Sequence, residues 1–163
     1  MKNYIFLFCF LFHNQITAQI QLGSDIDGEA VNDASGHSVA ISNDGTIVAV
    51  GSRFNDGNGT SSGHVRVYEF SNGSWGQLGS DIDGENSGDE SGYSIAVSGN
   101  GTVLAVGATK NNCSCGGYDR GHVKVYVYSN GTWTQKGNDI DSEGSQDESG
   151  YITDWDHPCK RIF

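Results

Sequence analysis

Gln21–Glu29 reads QLGSDIDGE, and Gln77–Glu85 repeats those nine residues without a change. Gln135–Glu143 gives a third version, QKGNDIDSE, so the offsets are 56 and then 58 residues. Self-similarity at a period of this size marks a stack or ring built from one supersecondary unit. The rest of the unit recurs too. Gly36–Asn43 (GHSVAISN) matches Gly92–Gly99 (GYSIAVSG), and Thr46–Gly51 (TIVAVG) matches Thr102–Gly107 (TVLAVG). Gly63–Tyr68 (GHVRVY) matches Gly121–Tyr126 (GHVKVY), and Ser71–Trp75 (SNGSW) matches Ser129–Trp133 (SNGTW).

Each unit reads as four short antiparallel strands. In the first unit they are Ser38–Ser42, Thr46–Val50, His64–Phe70 and Trp75 to about Ile82. Asn43-Asp44-Gly45 links the first two, as Asn100-Gly101 does in the second unit. Asn72-Gly73 and Asn130-Gly131 turn the third strand into the fourth, because glycine takes positive φ without a Cβ clash. No window keeps apolar residues at i, i+3, i+4 and i+7, so helix is excluded from the repeat. Only the link between strands two and three changes length: residues 53–62 against 109–120. That variation predicts a surface loop free of packing constraints. The expected fold is all-β, with two four-stranded propeller-type blades (21–76 and 77–134) and the start of a third unit (135–151). Gly36, Gly92, Gly51 and Gly107 would let neighbouring backbones approach closely, and Trp75 and Trp133 would seal one blade against the next.

The order Gly36-His37-Ser38-Val39-Ala40, then Gly51-Ser52, then His64-Val65-Arg66-Val67-Tyr68 resembles the FG-GAP repeat of integrin α-subunit-type β-propellers. Gly92-Tyr93-Ser94-Ile95-Ala96, Gly107-Ala108 and His122-Val123-Lys124-Val125-Tyr126 carry the same resemblance in the second unit. It covers nearly all of 21–151. Ser35 and Ser91 stand where the family has Phe, and Arg53 and Thr109 where it has Pro. The resemblance implies a propeller module at the cell surface or outside the cell. It also implies a calcium loop between the first two strands. Here that link is only Asn43-Asp44-Gly45 or Gly99-Asn100-Gly101, too short of carboxylates for the six to eight oxygens calcium takes.

Composition narrows the function. The 163 residues carry 9 basic and 20 acidic side chains, net −11, with 24 glycines and one proline. This balance argues against nucleic acid and against an anionic membrane surface as partner. Residues 1–18 read as a signal peptide: Lys2, then the apolar run Tyr4–Phe12 forming a short signal helix, then Ala18 for cleavage. Nine helical residues rise only about 14 Å, too little to span a bilayer. Removing residues 1–18 takes away one cation, Lys2, and leaves 8 basic against 20 acidic groups, or −12. Export would leave Cys113, Cys115 and Cys159, an odd number whose pairing the sequence does not fix.

Asp25-Ile26-Asp27-Gly28-Glu29 and its copies at Asp81, Asp83, Glu85 and Asp139, Asp141, Glu143 are the candidate cation segment. In an extended strand the two Asp side chains share a face, opposite a buried Ile. Calcium there is an expectation weighed against a purely structural repeat. A Ser38/His64/Asp25 triad can be drawn, but Ser and His recur in step as Ser94 and His122, whereas catalysis needs one asymmetric constellation. Ser71–Trp75 resembles the Asp-box hairpin of sialidase-type propellers but lacks the Asp. No residue is assigned as catalytic, cofactor-binding or metal-binding. Sequons at Asn58, Asn72, Asn100, Asn112 and Asn130 coincide largely with the turns. Acidic loops 24–34, 80–90 and 138–148 are expected to line the face that meets a partner.

Residues 135–151 match 77–93 at 12 of 17 positions, but the match stops at Tyr151, and 152–163 form an atypical tail. Two blades do not close a ring. The reading is therefore an exported, non-enzymatic propeller-type module for an extracellular protein or glycan, which self-associates or belongs to a longer product. A calcium-dependent adhesive module is the alternative, and a sialidase-like fragment ranks last.

Overall fold

The computed structural model describes residues 20–112, 120–144 and 146–151. The expected signal helix in 1–18, the three cysteines and the tail 152–163 lie outside them. The described residues form strands and turns with no helix, and so none long and apolar enough to cross a membrane.

Two antiparallel sheets repeat one plan. The first contains β1 (Ser35–Ile41), β2 (Ile47–Ser52), β3 (His64–Ser71), β4 (Ser74–Gln77) and β5 (Ile82–Asp83). The second contains β6 (Ser91–Val97), β7 (Val103–Ala108), β8 (His122–Ser129), β9 (Thr132–Gln135) and β10 (Ile140–Asp141). β4 and β5 both pair with β3, at its two ends, as β9 and β10 pair with β8. The single fourth strand expected from sequence is thus broken in two. Leu78 N still donates to Val67 O and Gly84 N to Gly63 O, but Gly79 turns to φ 81° between them. Gly79 faces the indole of the next sheet, where a Cβ would come within 2.9 Å of Trp133 Cδ1, but Gly137 makes the same turn at φ 78° with nothing within 4 Å, so the break belongs to the repeat itself.

The turns follow the expected chemistry. Asn72-Gly73 and Asn130-Gly131 have positive φ at both positions, the type I′ geometry whose twist matches the flanking strands. Asp44 Oδ1 accepts from Ser42 Oγ, Thr46 N and Thr46 Oγ1, and Asn100 Oδ1 accepts the same three bonds from Ser98 and Thr102. One carboxylate and one amide therefore close equivalent turns.

The core lies between the sheets. Alternation gives each strand one face toward the other sheet, so Ile47, Ala49, Val65, Val67 and Ile82 meet Ile95, Leu104, Val106 and Trp133. β6 packs on β1 and β2. At the close approach, Ser38 Oγ donates to Gly92 O at 2.7 Å, and Gly51 faces that same carbonyl with no room for a Cβ. The third unit begins the next layer in the same way: Ser94 Oγ donates to Gly150 O, and Gly107 faces that carbonyl. Parallel bridges Gly63–Ser91 and Gly121–Ser149 link successive units. Trp133 is buried between the two sheets, whereas Trp75, its counterpart, is half-buried against the first copy of the segment. Trp133 Nε1 donates to Leu78 O at 2.8 Å and Trp75 Nε1 to Leu22 O at 2.9 Å. The two sheets do not close a ring.

Candidate functional site

The QLGSDIDGE segment is where successive units are tied together. The second copy supplies β5 at the outer edge of the first sheet and then leads into β6 of the second, and the third copy supplies β10 in the same way. Arg66 stands on β3 with both of its neighbouring copies around it. Its Nε and Nη2 donate to the two carboxylate oxygens of Asp81 at 3.0 and 2.9 Å, and Nη2 also meets Glu29. Asp81 comes from the second copy and Glu29 from the first. In the second unit Lys124, almost fully buried, meets Glu85 of the second copy and lies 3.6 Å from Asp139 of the third. The middle copy thus gives Asp81 to one sheet and Glu85 to the other.

A buried histidine completes each cluster. His64 Nδ1 lies 3.9 Å from Glu29 and 4.0 Å from Asp81, and His122 Nδ1 lies 3.7 Å from Asp139. Burial lowers the affinity of both rings for a proton, and the adjacent Arg66 or Lys124 lowers it further. Asp81 is held below the ordinary carboxylate range by its bonds from Arg66 and then from Gln77, whose amide donates at 2.6 Å. Arg66 is held firmly charged by the same bond to Asp81. Burial also pushes the Tyr126 hydroxyl up to about 12.

The donor atoms of Glu29, His64 and Asp81 lie within 4.8 Å of one another, as do those of Glu85, His122 and Asp139. This geometry can hold a cation, and the protein's own guanidinium or ammonium stands there, paired with both carboxylates. The two Asp residues of one copy, expected to act together, divide their work. Asp81 takes the guanidinium, while exposed Asp83 pairs through its backbone with His64. Ile82 between them is buried as expected, whereas Ile140 is exposed, with no further sheet among the described residues to cover it.

The residues of the drawn triad have separate partners. Ser38 gives its hydroxyl to Gly92 O, His64 faces Glu29 and Asp81, and Asp25 accepts from Gln21 at 2.7 Å. The acidic loops are less open than the sequence suggested. Asp33 and Asp89 are buried, each accepting a 2.9 Å bond from the amide of Asn55 or Asn111. Glu90 pairs with Arg53 and Glu148 with Lys110. Asp25, Asp27 and Asp83 remain exposed.

The loops between the second and third strands need a matching correction. They vary in length, yet their first turns are packed, with Asn55 and Asn111 buried, and Ser62 at the end of the first loop is buried too. Sequence reasoning missed the Asp–Asn ties and the central cations. The signal was present: Asp33 and Asp89, and Asn55 and Asn111, recur at 56, and a lone cation interrupts GHVRVY and GHVKVY.

Residues 25–68 match the family model of the FG-GAP repeat. No curated protein matches the chain. The matched stretch runs from the first acidic segment through β3, so it includes Glu29, His64 and Arg66.

Proposed function

We propose that the chain is an exported, non-enzymatic binding module of the β-propeller type that presents its strand-end loops to an extracellular protein or glycan. The observation that carries this reading is the stacking of two like units, β6 on β1 and β2, within a chain whose residues 25–68 match an FG-GAP repeat. Such repeats occur typically in extracellular and cell-surface proteins. The charged Lys2 followed by the apolar run Tyr4–Phe12 supports export. The internal use of Ser38, Ser94, His64 and His122, each copied in register, supports a packing role over catalysis. A further unit from a second copy or a longer product would cover β1 as the first sheet covers β6.

Two measurements test the reading. Expression of the full chain should release a protein that begins at Gln19 into the medium. Retention inside the cell with Met1 intact counts against export. The released protein, labelled with a fluorophore, should bind intact cell surfaces saturably. Linear, non-saturating uptake removes the binding function.

A further inference from the structure

His37, Tyr93 and Tyr151 hold the same position in three successive units, and their rings touch in series. The centroids are 4.9 Å apart between His37 and Tyr93, which meet edge to face at 62°, and 5.3 Å apart between Tyr93 and Tyr151, which are tilted by 41°. The backbone is bent to put them there. Ala34, Glu90 and Glu148 sit at φ 55°, 53° and 48°, and two residues later Gly36, Gly92 and Gly150 sit at φ 81°, 79° and 89°. In both complete units the register then slips, from Ser35–Ser52 to Ser38–Gly51 and from Ser91–Ala108 to Ser94–Gly107. Two extra residues are extruded, and the second of them bears the ring. Bulges re-aim side chains, and left-handed non-glycine residues are strained conformations that cluster at functional sites.

The surroundings of the ring series are electrically balanced. Arg53 lies 5.3 Å from the Tyr93 ring and donates to Glu90 at 2.7 Å, and Lys110 donates to Glu148 at 2.6 Å. Each cation is paired with a carboxylate from the following unit. Partial desolvation beside Tyr93, and then Arg53, hold His37 below its ordinary value. His37 and Tyr151 are exposed and Tyr93 is half-buried. A balanced aromatic strip on a chain of net charge −11 stands apart from the rest of the surface.

We propose that this strip is a docking platform for a neutral glycan, which deepens the binding function proposed above and rests on it. A sugar ring has one apolar C–H face, which suits the exposed outer rings, His37 and Tyr151, that flank Tyr93. Its hydroxyl edge suits the paired guanidinium, ammonium and carboxylate groups beside the rings. A polyanion is disfavoured by the net charge.

The test is titration of the secreted protein with neutral hexasaccharides (mannose-, glucose-, xylose- and N-acetylglucosamine-based), followed by the aromatic NMR signals of Tyr93 and Tyr151. A heparin oligosaccharide serves as the anionic control. At least one neutral series should shift these signals saturably, and Tyr151→Ala should weaken it tenfold or more with no change in melting temperature. Absence of saturation with every neutral sugar overturns the platform. So does affinity kept within twofold in both Tyr93→Ala and Tyr151→Ala, since the rings would then only join the units. Cell-surface binding that persists in the double variant overturns the platform and leaves the binding module standing. Loss of cell-surface binding by the unaltered protein removes both.

Discussion

β1 and β6 carry one motif in one backbone conformation, yet β6 is core and β1 is surface. Val39 and Ile41 are 59% and 58% exposed, whereas Ile95, the counterpart of Val39, is 7% exposed. A Cβ on Gly36 would meet nothing within 4 Å, but on Gly92 it would lie 2.5 Å from His64 O. The opposite side of the pair repeats the contrast, with Ile82 buried and Ile140 exposed. Burial here belongs to the junction between units and not to the unit itself. That is the behaviour of a repeat array, in which each unit's apolar face is completed by its neighbour.

Glycine replacements break this comparison most sharply. Gly36 and Gly92 share a left-handed φ, so alanine at either position carries the same backbone cost of about 1–2 kcal/mol. Only Gly92→Ala adds a clash with His64 O and Val65, so it should cost about 2–3 kcal/mol more than Gly36→Ala, within the overpacking range. Urea unfolding of the two variants measures the difference, and equal losses would mean that β6 is not held against the first sheet. Truncation is the next step down. Ile95→Ala should cost about 2–4 kcal/mol and Val39→Ala about 0.5 kcal/mol or less, by the same measurement.

Those pairs also mark what the sequence made readable. Strand alternation, the Asn-Gly turns and the place of Trp133 between the sheets followed from local chemistry and self-similarity, and the sheets carry them. The break between β4 and β5 did not, because it lies in the pairing with β3 and in the positive φ of Gly79, which Gly137 repeats between β9 and β10. The direction of the acidic side chains was hidden for a similar reason. Asp81 looks solvent-facing until Arg66 is placed beside it, and Glu29 and Asp81 meet only after two copies converge on one guanidinium. Residues 37, 93 and 151 were visible as an unmatched His and Tyr pair, but the bulge that aligns their rings is a property of register.

Acid should act through the paired clusters. His64 and His122 bind protons less readily folded than unfolded, first because they are buried and then because of Arg66 and Lys124. The unfolded chain therefore takes up more protons as pH falls below about 6.5, and stability declines between pH 7 and 5. Asp81 works in the same direction at lower pH. Its depressed folded value contributes stability above the ordinary carboxylate range, lost as pH falls through that folded value. A double His64→Gln, His122→Gln variant should flatten the decline between pH 7 and 5 and leave the later one. An unchanged slope would mean that the rings are not buried in neutral form.

Calcium should have the smallest effect, and the reason sharpens the contrast between the two clusters. Each offers two carboxylates and an imidazole, against the six to eight oxygens that calcium takes, and each already contains a cation of the chain. Calcium at about 1 mM should therefore stabilise the unaltered protein by less than about 0.1 kcal/mol, the gain expected for a dissociation constant above about 10 mM. Removing the internal cation tests whether that cation is the cause. Arg66→Gln frees the Asp81 carboxylate from a two-point bond, whereas Lys124→Gln frees Asp139 from a single 3.6 Å contact. The calcium-dependent rise in melting temperature should accordingly appear in Arg66→Gln and be weaker in Lys124→Gln. A large rise in the unaltered protein would reverse this ordering and favour the calcium-dependent adhesive module instead.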